Sequence, residues 1–202
     1  GTGLLWFGWY GFNAGSELAV NNITVLAFLN TDLAASVAGF TWLILSWIIE
    51  KKPKFVGFLT GAVAGLAAVT PAAGYVSPGS AFIIGILAGI ICFTAITFKN
   101  RRGWDDALDV WGVHGVGGFL GTISLGLFAS ATLNPAGADG LIFGGVSFFT
   151  MQVVAVIIAA VWAFVFTYVM LYIINFITPV RVTDVVESSL DEGQLGEKAY
   201  LD

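Results

Sequence analysis

The chain has 202 residues, of which 57% are hydrophobic, only 10% are charged and 26 are glycine. Its mean hydropathy is +0.90. A soluble domain carries about 25% charged residues, so this composition excludes a particle wetted on all sides and points to an all-α, polytopic transmembrane bundle. The formal net charge of -5 comes partly from the C-terminal tail and identifies no partner. The one cysteine, Cys92, lies in an apolar run, which excludes an intrachain disulfide framework and a cysteine zinc cluster. It is expected to be a small core residue.

At about 20 residues per span, the apolar runs predict six helices: about 1–15, 23–49, 55–73, 79–98, 109–130 and 143–178. The first begins inside an apolar stretch with no Met, basic segment or cleavage site, so it is not expected to be a signal peptide. We expect the chain to start partway through a larger protein. The sixth, at 1.5 Å per residue, would be about 50 Å long against a hydrocarbon core of about 30 Å. It is expected to tilt, as a strap across the outside of a bundle. Residues 1–179 would form the bundle and 180–202 a polar tail carrying Asp184, Glu187, Asp191, Glu192 and Glu197.

All eight basic residues fall after alternate helices: Lys51, Lys52 and Lys54; Lys99, Arg101 and Arg102; Arg181 and Lys198. The excess of Lys and Arg on cytoplasmic loops places these loops and the C-terminus in the cytoplasm. The first helix then starts on the cytoplasmic side. The glycines are patterned too, with Gly57, Gly61 and Gly65 four apart, as are Gly85 and Gly89. Small residues at that spacing let helix backbones approach closely in lipid. No strand–turn–helix context makes them a nucleotide loop.

His114 is the one histidine and lies inside the fifth predicted helix. A titratable group in the bilayer is costly and calls for a function. In an α-helix Gly117, Gly118 and Gly121 share its face, so the imidazole would lie beside nearly bare backbone. That face suits a satisfied packing histidine, a pore or proton-relay histidine, or a metal ligand, although a metal normally needs several ligands and no others lie near. Asp105, Asp106 and Asp109 open this helix, where capping and the helix dipole favour acids. Asp109 is five residues before His114, about 140° round the helix. It is not expected to touch the imidazole, and it would organise the cytoplasmic mouth.

The aromatic cluster from Trp6 to Ser16 closes the first helix at the outer face. It reads either as an interfacial anchor or as a cation site, where an aromatic face and a hydroxyl meet an unhydrated cation. Phe12 and Ser16 are four apart and can share one face. Thr70-Pro71 and Gly74 mark the end of the third helix.

Three segments together resemble the ammonium transporter (Amt/Mep/Rh) superfamily in its bacterial and archaeal Amt branch: WFGWYGFNAGS from Trp6, VTPAAGY from Val69 and DDALDVWGVHGVGG from Asp105. The tail from Leu190 and Asp191 to Gly196, Glu197, Ala199 and Tyr200 also resembles that family's C-terminus. The resemblance runs the length of the chain in family order. It implies the last six of eleven helices, from the second of two inverted halves, in a homotrimer with one pore per protomer. It further implies that Phe12 belongs to the outer gate, Ser16 to the outer recruitment site, His114 to an in-pore histidine pair and Asp109 to the cytoplasmic exit. The first pore histidine, the second gate phenylalanine and the recruitment tryptophan lie in the family's other half. In the tail, Leu195 stands where the family usually has His before Gly-Glu.

The implied activity is transport of ammonium, with methylammonium as an analogue, in the cell membrane. NH4+ would be recruited outside and NH3 conducted through an apolar channel past the histidine pair, with or without a relayed proton. A membrane-bound ammonium sensor is the competing reading, and a generic solute channel a third. No enzyme activity, cofactor, metal or nucleic acid is expected. The implied partners are ammonium, the lipid bilayer, two further copies of the chain and a cytoplasmic PII-type signal protein at the tail.

Overall fold

The computed structural model describes residues 1–198; Ala199 and Tyr200 of the tail resemblance lie outside them. The described residues contain helices and turns and no strand. By backbone contacts the chain divides into two units, residues 1–158 and 159–202.

In the first unit the helices are α1 (Thr2–Asn13), α2 (Asn22–Glu50), α3 (Phe55–Val69), α4 (Pro78–Arg101) and α5 (Gly117–Phe128). A π-helical turn, Trp111–Val116, precedes α5 and is continuous with it. Each boundary has a local cause. Asn21 caps α2 by accepting from the N–H groups of Ile23 (2.9 Å) and Thr24 (3.1 Å). Lys51 ends that helix in the left-handed region at φ 64°, and Pro53 prevents its continuation. Ser77 caps α4, with Pro78 pre-set at its first position.

Among the described residues four helices are long and apolar enough to cross a membrane: Asn22–Glu50, Pro78–Arg101, Trp111–Phe128 and Val146–Ile177. The other two predicted spans come out shorter, with 12 residues in α1 and 15 in α3. The predicted end of the third helix at 73 is corrected to Val69, because the chain passes into a series of turns at Thr70-Pro71.

The patterned glycines explain the packing. Ala34 and Ala38 of α2 are fully buried, with Gly61 and Gly65 of α3 packed against them from one helix and Gly85 and Gly89 of α4 from another. A Cβ on Gly85 would lie 2.8 Å from the Ala34 carbonyl oxygen, and one on Gly89 would lie 2.9 Å from that of Ala38. The three backbones therefore approach closer than side chains would allow, and dispersion between them replaces the hydrophobic drive that lipid removes.

Asn30 of α2 is 0% exposed and donates through its amide to the carbonyls of Ala73 and Val76, both at 2.8 Å. It ties α2 to the turns that follow α3 by satisfying carbonyls no helix uses. Asn30→Ala is expected to cost about 1–3 kcal/mol, the penalty of leaving buried acceptors unpaired. Thermal unfolding of the purified protein in detergent measures this; an unchanged midpoint would show that the turn is held by other means.

The sixth helix, α6 (Val146–Ile177), has 32 residues and no charged side chain. It is apolar all round, as befits a helix that meets lipid or protein on every side. In the second unit the rings of Trp162 and Phe166 stack at 5.6 Å. Beyond α6 the chain forms the short helix α7 (Asp184–Glu187) and a π-helical turn, Asp191–Leu195. Two exposed ion pairs lie there, Arg181 with Glu187 at 3.5 Å and Lys198 with Glu192 at 3.7 Å. Pairs so exposed contribute little to stability.

Candidate functional site

The site is built on α1, which side-chain hydrogen bonds fix to its neighbours. Tyr10 donates to Asp32 (2.5 Å) and its ring stacks on Phe28 with centroids 4.1 Å apart. Asn13 donates to Thr31 (2.9 Å), which in turn donates to the Ala27 carbonyl. Trp9 donates its indole N–H to Thr70 at 2.7 Å, and Thr70 donates to the Leu66 carbonyl at 2.7 Å. The aromatic cluster of α1 is thus held at one azimuth by polar bonds to α2 and to the end of α3.

Two cavities meet on this helix. One, of about 310 Å³, has a mixed lining, with Asn13, Ser16, Glu17, Thr70, Tyr75 and Asn134 beside Phe12, Ile23, Ala27 and Ala73. The other, of about 450 Å³, is lined by Leu4, Leu5, Gly8, Trp9 and Phe12, all apolar apart from the indole nitrogen. Phe12 is 62% exposed and lines both. Ser16 lies in a 3₁₀ turn after α1 and donates its hydroxyl to the Phe12 carbonyl. The two residues paired by their spacing are therefore brought to one cavity.

From Phe12 the aromatic chain continues inward. Its ring meets Trp9 edge-on at 5.9 Å, and Trp9 lies nearly parallel to the imidazole of His114, with centroids 6.3 Å apart and planes at 10°. His114 is exposed, and no hydrogen bond to its ring occurs among the described residues. No group of three or more His, Cys, Asp and Glu able to hold a metal occurs among the described residues either.

The face assigned to His114 needs correction. Its turn is π-helical, so the α-helical angles do not apply. Gly117 and Gly121 are buried and pack on α3: a Cβ on Gly117 would lie 3.7 Å from the Ala64 carbonyl, and one on Gly121 would strike that of Ala68. Gly118 has nothing within 4 Å. Gly117 and Gly121 thus serve helix contact, whereas Gly118 is open and His114 is exposed against Trp9.

Asp109 also differs from its expected helical placement. It lies before the helix at φ 55°, and its carboxylate accepts from Lys99 Nζ at 2.6 Å. Asp106 is the residue that caps the helix, accepting from the N–H groups of Val110 and Trp111 at 2.9 Å each. No side-chain hydrogen bond of Asp105 occurs among the described residues. Trp9 and Lys99 are the residues that sequence reasoning does not reach. In the sequence Trp9 is one ring among several. Lys99 stands there with the basic loop, although it belongs to the last turn of α4 and is 4% exposed.

The profile of the Ammonium Transporter Family matches residues 1–200. The ammonium transporter of Bacillus subtilis is 46% identical over 204 residues, covering 100% of this chain and 50% of that protein. The crystal structure of Saccharomyces cerevisiae Mep2 superposes with a TM-score of 0.86 at 32% identity, covering 91% of this chain and 43% of that one. A structure described as a sensor Amt protein superposes with a TM-score of 0.83 at 34% identity, covering 93% of this chain and 45% of that one. The chain thus spans half or less of the length of the curated relatives it matches.

Proposed function

The chain belongs to the ammonium transporter family, as a multi-pass membrane protein, and from that premise we propose that it forms one wall of an ammonium-conducting pore. The observation that carries this reading is the succession along α1: a cavity of mixed lining that holds Ser16, Phe12 shared with an apolar cavity, then Trp9 against His114. Selectivity is the physical problem. NH4+ and K+ have the same charge, and a carbonyl-lined passage would admit both. Only ammonium can shed its charge by losing a proton. In the mixed cavity the Ser16 hydroxyl accepts a hydrogen bond from the cation and the Phe12 face attracts it as water leaves. Beyond Phe12 the apolar lining favours the neutral species, because an unpaired charge there is costly.

His114 then meets NH3, as an acceptor or a donor according to its tautomer, and serves as one member of a histidine pair that hydrogen-bonds NH3 or relays the released proton. Asp109 stands at the cytoplasmic exit, consistent with the basic residues of that loop. On the same reading residues 1–179 are the membrane bundle, residues 180–202 a cytoplasmic tail, and the protein a homotrimer in the cell membrane. The tail and the basic loops face the side from which a PII-type signal protein would close the pore; binding assays with PII protein in each nucleotide state test that contact.

The decisive experiment is uptake of labelled methylammonium by the full-length native protein in proteoliposomes. Saturable uptake that excludes K+ is expected. Ammonium binding without uptake would overturn transport and favour the sensor reading, which the likeness to the sensor Amt protein keeps in view.

A further inference from the structure

We propose that Lys99 is a positioning residue for His114: its buried ammonium group, bonded to Asp109 and to the Asp106 carbonyl, holds the π-helical turn that presents the imidazole. The inference rests on the transport reading for its functional consequence and on geometry for the rest.

Lys99 is in the last turn of α4, and its side chain is 5% exposed, against 29% for Asp109. Its Nζ donates at 2.6 Å to the Asp109 carboxylate and at 2.6 Å to the Asp106 backbone carbonyl. A buried ammonium group is retained only where it is paired and hydrogen-bonded, and both partners here belong to the five residues before the π-helical turn. The same short segment supplies Asp106, whose two carboxylate oxygens take the N–H of Val110, just before that turn, and of Trp111, its first residue. Among the described residues the Asp109 carboxylate accepts from Lys99, and its backbone carbonyl accepts from Val113, the residue before His114.

The consequence follows from the geometry of the turn. A π-helical turn accommodates one more residue per hydrogen-bonded ring than an α-helical one. Relaxing Trp111–Val116 to α-helical bonding would rotate His114 relative to α5, which is anchored separately by Gly117 and Gly121 against α3. Something must therefore hold the leading end. Two links do so. Lys99 is the ionic one. The other is a run of edge-on aromatic contacts, Phe98 to Trp104 at 5.6 Å and Trp104 to Trp111 at 5.4 Å. The aromatic link acts at Trp111, whereas Lys99 holds the segment that closes the ring containing Val113. Asp109 also has φ 55°, a conformation that a non-glycine residue adopts at a cost and keeps where its surroundings impose it.

The test uses the full-length protein with Lys99→Met, Lys99→Arg, Asp109→Asn and the Lys99→Met/Asp109→Asn double variant. Two readouts are taken: methylammonium uptake per folded molecule, and amide hydrogen exchange of Trp111–Val116 in the purified protein. Lys99→Met is expected to lower the maximal rate roughly ten- to a hundredfold, the scale of a misplaced functional group, while KM, set at the outer cavity, stays within about twofold. Exchange in Trp111–Val116 should quicken. Lys99→Arg should restore part of the rate. The double variant should lose no more than the worse single one, because both break one contact. A Lys99→Met protein with unchanged maximal rate and unchanged exchange overturns the inference, and so does full additivity in the double variant. Absence of uptake by the unmodified protein instead sinks the transport reading and leaves the exchange measurement to decide whether Lys99 holds the turn.

Discussion

His114→Ala is expected to lower methylammonium uptake on the order of a hundredfold, the lower range for losing a positioned proton-transfer group, or to leave a pore that admits K+. The direction follows from chemistry. His114 is the one histidine of the chain, its ring is parallel to Trp9 at 6.3 Å, and Trp9 in turn meets Phe12 at the junction of the mixed and apolar cavities. On the proposed pore reading, without the imidazole NH3 crossing this stretch would find apolar walls and no hydrogen-bond partner from this helix, and a released proton would lose its acceptor. The substitution removes an exposed side chain whose described contact is a ring stack, worth about 0.5–1.5 kcal/mol, so the protein should remain folded and countable. Uptake and K+ exclusion are measured together on the full-length protein. If both are unchanged, His114 has no part in the mechanism.

Gly65→Val is expected to abolish the folded protein. A Cβ at residue 65 would strike the Ala34 carbonyl oxygen and lie 2.7 Å from the Ala38 Cβ. Neither neighbour can yield, because Ala34 and Ala38 are also pressed by Gly85 and Gly89 of α4. Overpacking in a dense core costs about 1–3 kcal/mol and more where backbone must move; here two helices would have to separate. Yield and thermal stability in detergent report the effect. Gly79→Ala is the companion, since a Cβ there meets only Ser77 Oγ at 3.8 Å. Equal stability of the Gly65 and Gly79 variants would show that the α2–α3–α4 contact is slacker than the backbone positions indicate.

Much of the architecture is legible in the amino-acid sequence. Apolar runs of about 20 residues need a bilayer or a core, and the predicted helices at about 23–49, 79–98 and 143–178 correspond to Asn22–Glu50, Pro78–Arg101 and Val146–Ile177. The four-residue glycine repeat already specifies which faces approach, because lipid leaves close packing as the main source of helix association. The family is legible from three strings that keep their order, and the matches across residues 1–200 bear that out.

Less of the site is legible. Spacing brings Phe12 and Ser16 to one face, and the cavity contains both. It does not reveal that Trp9 is the ring against His114, because Trp6, Phe7, Trp9, Tyr10 and Phe12 are chemically alike; the bond from Trp9 to Thr70, 61 residues away in sequence, selects it. Nor does it reveal the pairing of Lys99 with Asp109. A basic residue near a helix end is normally a solvated one, and this one is buried because the turn after α4 brings two acceptors to its amine.

What the sequence determined by itself is therefore the membrane class, the helix order, the family and the identity of the one membrane-embedded histidine. These follow from local quantities: hydropathy over a span, small residues at helical spacing, charge on alternate loops. What only the tertiary structure decided is the surroundings of His114. The turn around it is π-helical, Asp109 precedes it at positive φ, and Gly117 and Gly121 are buried against neighbouring helices while His114 is exposed. That outcome depends on contacts between α1, α3, α4 and the start of α5, and a helical periodicity of 3.6 carries no information about them.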